Sequence, residues 1–213
     1  MSTPRLGGRR LAIAAGVLFL LPALVFFYLD LPFLGAASLS GTDLRGVPAP
    51  DFQLVDHTGE RVSLSDLRGK AVALTFLYTS CPDVCPLIAG KLGQVHDQLG
   101  RQAGDAAFVA VTVDPERDDV PRLRQYLDAQ ELGGKMTFLT GERQELERVW
   151  AAYHIAVTRT PAGATGQNDT AAHEVGHTTV VYVIDKWGRE RRLLREDFDP
   201  AALSRNLEIL IRE

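Results

Sequence analysis

The sequence predicts an α/β protein, a mixed central sheet flanked by helices, behind an N-terminal transmembrane helix. Three features lead there. Leu11 to Leu29 carry no charge and follow three arginines. Short apolar runs at Ala71–Leu77 and Ala107–Val113 alternate with segments of helical period. A late strand, a turn and a returning strand then run into a closing amphipathic helix.

At roughly 1.5 Å per residue the uncharged run spans about 28 Å as a helix, close to a hydrocarbon core of about 30 Å. Arg5, Arg9 and Arg10 precede it, and no acidic residue occurs before Asp30. That asymmetry keeps residues 1–10 cytoplasmic and sends the rest across, with 11–29 as the anchor. A cleaved signal peptide is the competing reading, with Gly35-Ala36-Ala37-Ser38 as its small-residue site. The run is longer than a usual signal core, which favours a retained anchor. No cysteine near its end offers a lipid attachment point. Gly35 to Pro50 is rich in Gly, Ser, Ala and Pro and reads as a tether, so residues 30–47 are expected to be linker. Residues 48–213 are long enough for one domain with a full core.

Within that domain, Phe52 to Leu64 reads as a hairpin turning at Asp56-His57-Thr58-Gly59. Ala71–Leu77 and Ala107–Val113 read as buried parallel strands. Between them Leu87, Leu92, Val95 and Leu99 recur at helical spacing and stop at Gly100. A second helix fits Pro121 to Gln130, a strand Met136 to Leu139, and a third helix Gln144 to Tyr153. Thr158 to Ala172 is polar, contains Pro, Gly and Asn, and reads as an exposed loop. Thr178 to Ile184 is a strand, Lys186-Trp187-Gly188 a turn, Glu190 to Leu194 an antiparallel return, and Ala201 to Ile211 the last helix. This order is thioredoxin-like.

Net charge is −4 with signs interspersed, which leaves no basic patch for nucleic acid. The chemistry concentrates at the only two cysteines, Cys81 and Cys85, in Thr79-Ser80-Cys81-Pro82-Asp83-Val84-Cys85-Pro86. A disulfide between them closes almost no loop and restrains the unfolded chain little. Two such thiols instead chelate a soft metal or cycle between dithiol and disulfide. A helix tolerates proline only in its first turn, so with Pro82 and Pro86 four apart the helix starts nearer Asp83 to Pro86. Both sulfurs then lie at a helix N-terminus, where the backbone dipole favours thiolate.

This segment resembles the signature of the Sco/SenC family, thioredoxin-fold copper proteins of cytochrome c oxidase assembly. The resemblance extends to Gly69-Lys70 before the strand and to Thr112-Val113-Asp114-Pro115-Glu116-Arg117-Asp118 after the next one, and runs from about Pro48 to the C-terminus. It implies a copper site of two cysteines and one histidine just before the late strand, which maps onto Cys81, Cys85 and His177. Such a set suits Cu(I) and can also hold Cu(II). It further implies a chaperone role for the dinuclear centre of oxidase subunit II or another copper acceptor, an upstream copper donor, and a single-pass location in the bacterial inner membrane with the domain in the periplasm. One departure is visible: the family often has Asp before this histidine, and here the residue is Gly176.

The rival is a thiol–disulfide oxidoreductase that keeps the acceptor cysteines reduced and uses a redox-active Cys81–Cys85 disulfide. Against it, three residues separate the cysteines instead of two, and Gly176 to Ile184 has no proline to play the thioredoxin cis-proline. A thiol peroxidase fits less well, because Thr79 lies two residues before Cys81 and not three. His173 is a candidate further ligand or supporting contact, and Asp114 and Asp118 are candidates for supporting or partner-docking charges. His57, His96 and His154 read as structural or surface residues. Thr158 to Ala172 reads as a connection or a mobile gate before His177.

Overall fold

The structure is a computed structural model, and it describes residues 38–161 and 173–213. The expected anchor at 11–29, the signal-cleavage alternative and most of the expected gate lie outside the described residues. Among the described residues no helix is long and apolar enough to cross a membrane.

The strand run Ala71–Leu77 (β4) is buried at all seven positions, as expected of a strand covered on both faces. It pairs in parallel with Ala106–Thr112 (β5), which pairs in parallel with Thr137–Thr140 (β6). On its other side lies Val180–Ile184 (β9), antiparallel, followed by Arg189–Arg195 (β10). Gln53–Asp56 (β2) and Arg61–Ser63 (β3) form the hairpin expected near Asp56 and add to β6. Asp56 organises that turn by accepting from the Thr58 and Glu60 N–H groups and the Thr58 hydroxyl.

One strand was hidden in the expected tether. Thr42–Pro48 (β1) pairs antiparallel with β10 and closes the sheet edge, giving the order β1-β10-β9-β4-β5-β6-β2-β3. The compact unit accordingly begins at Leu39. Its glycines and proline mask a strand that owes its existence to an exposed neighbour edge and not to its own propensity.

Among the described residues, four α-helices cover the sheet: Val84–Leu99 (α1), Val120–Ala129 (α2), Arg143–Ala152 (α3) and Pro200–Arg212 (α4). Asp119 and Asp199 cap α2 and α4, each accepting a backbone N–H of the first turn. α1 packs on α4 and buries Ile88, Leu92, Val95 and Leu99. It ends at Gly100, whose positive φ of 52° is open to a residue without a Cβ. Within the core, Phe52, Phe76, Tyr153 and Tyr182 meet edge to face or tilted at 5.1–6.5 Å between ring centroids.

The expected loop beginning at Thr158 is corrected in part. Val157–Pro161 (β7) pairs antiparallel with His173–His177 (β8) as a separate two-stranded sheet. The late strand expected from Thr178 therefore starts at Val180, and Thr178-Thr179 joins β8 to β9. Single-strand patterns cannot show a second, smaller sheet, because its pairing is local to two segments with no apolar alternation.

Candidate metal centre

β4 delivers Tyr78 and the cysteine loop to the C-terminal edge of the parallel strands, the usual place for a site in such a sheet. α1 starts at Val84, as the proline argument requires, so Pro86 falls in its first turn and Cys81 in the turn before it. Both cysteines are free thiols, Cys81 partly exposed and Cys85 buried. The Cys85 N–H points at Cys81 Sγ, 3.4 Å away.

The two thiols differ electrostatically. Burial would raise Cys81, but hydrogen bonds to its sulfur, chiefly from the Asp83 N–H and from Cys85, outweigh it and hold the thiol below its ordinary value. Burial pushes Cys85 well up, and the neighbouring Cys81 adds to the rise.

His177, the last residue of β8, brings Nε2 to 3.9 Å from Cys85 Sγ. Its Nδ1 lies 3.0 Å from the Thr178 carbonyl oxygen. A carbonyl only accepts, so Nδ1 carries the proton and the Nε2 lone pair faces the thiols. Burial lowers the His177 pKa, against the smaller effect of that hydrogen bond, so the ring is neutral at pH 7.

Two thiols and an imidazole nitrogen are a soft set suited to copper. As they stand, no three His, Cys, Asp or Glu side chains among the described residues are gathered closely enough to hold an ion. Cys85 and His177 are paired, and Cys81 is turned toward the start of α1.

Two residues that the spacing did not single out shape this corner. The Tyr78 hydroxyl donates to the Val175 carbonyl in β8 at 3.1 Å, and its ring meets the His177 ring edge-on at 5.8 Å. Tyr78 thus ties the cysteine strand to the histidine hairpin, and its signal was only its place next to the motif. Gly176 lets the two strands of the hairpin close. A Cβ there would stand 2.8 Å from Thr158 Oγ1.

Asp118 clasps the cysteine loop. It accepts from the Thr79 N–H at 3.2 Å, the Thr79 hydroxyl at 2.5 Å and the Thr112 hydroxyl at 2.5 Å. Asp114, fully buried, pairs with Arg117, whose guanidinium lies 6.0 Å from the Tyr78 ring centroid. Both carboxylates are buried within the corner that carries the cysteine loop. The backbone of His173 lies in β8 opposite Pro161, and its side chain is outside the described part. His57 and His96 line a cavity of about 350 Å³ with Ala106 and Thr137, at the opposite end of the parallel strands from the cysteines.

The SCO1/SenC family profile matches residues 42–212. A SCO2-like protein of Rickettsia felis is 29% identical over 150 residues, 70% of each chain. The human mitochondrial SCO1 homolog is 32% identical over 161 residues, 71% of this chain and 50% of that protein. The solved structure of Bradyrhizobium japonicum ScoI with copper bound superposes with a TM-score of 0.68 at 27% identity, over 77% of this chain and 99% of that one.

Proposed function

Because the chain belongs to the SCO1/SenC family, we propose that it is a membrane-anchored copper carrier that binds one copper ion through Cys81, Cys85 and His177. The observation that carries the reading is the approach of His177 Nε2 to Cys85 Sγ, lone pair inward, beside a second thiol at the same helix start. Copper is the cargo. It arrives from an upstream donor and leaves to the cysteines of an acceptor, for which the family resemblance points to cytochrome c oxidase subunit II. Exchange from thiolate to thiolate spares the ion from release. The apolar run at 11–29 anchors the chain in the bacterial inner membrane, with the folded unit in the periplasm.

A second reading draws support from the unlike thiols: Cys81, outward and acidified, and Cys85, buried, suit thiol–disulfide exchange with the same acceptor. One experiment separates them. The reduced unit, residues 39–213, is titrated with copper, and Cu(II) is followed by sulfur-to-copper absorption. One ion per chain is expected. His177→Ala is expected to alter the spectrum and weaken binding by about tenfold or more, since loss of even a group that only orients a ligand costs that much. His57→Ala should change neither. Copper binding and spectrum untouched by His177→Ala would remove the histidine from the site and leave the dithiol reading standing.

A further inference from the structure

The turn between β9 and β10 carries Trp187, 48% exposed. Lys186 Nζ and the Arg189 guanidinium lie 5.0 and 4.8 Å from its ring centroid. Beside it, Arg45, Arg191 and Arg192 join Trp187 and Arg189 around an open groove of about 470 Å³. Val47, on the adjoining edge strand, is also 48% exposed.

Acidic groups offset only part of this charge. Asp43 pairs with Arg192, Glu213 with Arg191, and Asp185 with Arg189 and Arg191. No ion pair of Arg45 or Lys186 is found among the described residues. Five cations thus face three carboxylates, a local excess of two on a chain whose net charge is −4.

We propose that this corner, the Lys186–Gly188 turn with Arg45 and Arg189, docks on the anionic lipid surface of the membrane in which the chain is anchored. The proposal rests on the anchor reading of residues 11–29. An exposed indole flanked by cations matches the water–lipid boundary, where the ring sits at headgroup level and the cations meet phosphate. Chain length favours that occupant over a soluble one. Only nine residues separate Leu29 from Leu39, where the compact unit begins. Fully extended, the chain from Leu29 to Leu39 reaches about 35 Å. β1, which follows, is the neighbour of β10 at the sheet edge that holds the patch. Tethering raises the local lipid concentration so far that a weak contact is well populated.

Docking in this way has a consequence for the metal centre. β9 leaves the His177 end and runs antiparallel to β4, so Trp187 lies where β4 begins. The cysteines lie beyond its other end, about 20 Å away for a seven-residue strand. With Trp187 on the bilayer, Cys81 and His177 face the aqueous side, open to an acceptor.

The test uses the full chain in bilayers of phosphatidylcholine with and without phosphatidylglycerol, with acyl-brominated lipids as quenchers. Trp150, the other tryptophan, is buried, and Trp187→Phe supplies its background. The Trp187 emission should be quenched about twofold in anionic bilayers. That quenching should fall away with Arg45→Glu plus Lys186→Glu, and in about 1 M salt, where the Debye length is about 3 Å. A bilayer-retained chain whose Trp187 stays open to aqueous iodide and is untouched by brominated lipid overturns the proposal. So does shielding of Trp187 that appears only when a second protein is added. Loss of the chain from bilayers on alkaline washing refutes the anchor alone. In that event flotation of the free chain with anionic vesicles, dependent on Trp187, upholds the patch, and absence of flotation overturns it.

Discussion

Cys81 and Cys85 are the same side chain in two settings one helical turn apart. Burial acts on both, yet only Cys81 receives enough hydrogen bonds to its sulfur to win against it. Access runs the same way, since Cys85 is fully buried. Iodoacetamide at pH 7 should therefore label Cys81 at least about tenfold faster than Cys85, because the thiolate is the nucleophile. Peptide mass mapping of partially labelled chain checks this, and equal labelling would refute the asymmetry. The structure also explains why His177 suits the site and a histidine such as His96 does not. His177 has its proton fixed outward by the Thr178 carbonyl, whereas His96 sits beside Asp97 at the opposite end of the parallel strands from the cysteines.

At the scale of elements, the site depends on three segments meeting: the β4–α1 loop, the β5–α2 loop and the β7–β8 hairpin. Asp118 joins the first two. Burial raises its pKa, and the Thr112 and Thr79 hydroxyls oppose that rise without cancelling it. Removing the carboxylate strands a buried N–H and two hydroxyls, each of which costs about 1–3 kcal/mol when unpaired. Asp118→Ala is therefore expected to lower stability by about 3 kcal/mol and to loosen the cysteine loop. Asp118→Asn, which keeps an acceptor and gains a donor that either threonine hydroxyl can take, should lose less than half of that. Urea unfolding measures both, and hydrogen exchange at Thr79 reports the loop. An Ala variant as stable as the native chain would show that the clasp is incidental. The third segment is held by Tyr78 and by the close fit at Gly176, which replaces the acidic residue the family often has before its histidine.

The whole molecule has its own acid-sensitive point at Asp185, at the far end of β9. Burial would raise this carboxyl, but the Arg189 N–H and the Arg189 and Arg191 guanidinia hold it below the usual value of 3.8. A group held lower in the folded than in the unfolded chain releases its proton more readily when folded. Its stabilisation is complete above pH 3.8 and drains away as pH falls through the lower folded value. Asp185→Asn should be less stable than the native chain at pH 7, by about 2 kcal/mol, and the gap should narrow as pH falls below 3.8. Urea midpoints across that range test it, and parallel curves would reject the linkage. The same carboxylate receives the N–H groups of Trp187 and Arg189, so it also shapes the turn that carries the basic patch.

Strong local patterns were legible before any fold was in hand. The two central strands announce themselves because burial on both faces leaves no charged residue in seven and only one threonine in each. α1 is set by apolar spacing and by prolines that confine its start to Asp83–Pro86. The cysteine pair and His177 stand out by residue type and by resemblance to a family motif. Other features have no local signature. β1 forms because β10 offers an open edge, and β7 and β8 form because they offer one to each other. The clasp of Asp118 on Thr79 spans 39 residues, and the approach of His177 to Cys85 spans 92. The sequence by itself determined which side chains have the chemistry to hold copper and which runs must be buried. Only the tertiary structure decided how those donors face one another, which thiol is open and which carboxylates support the loop, because these depend on contacts between segments far apart in the chain.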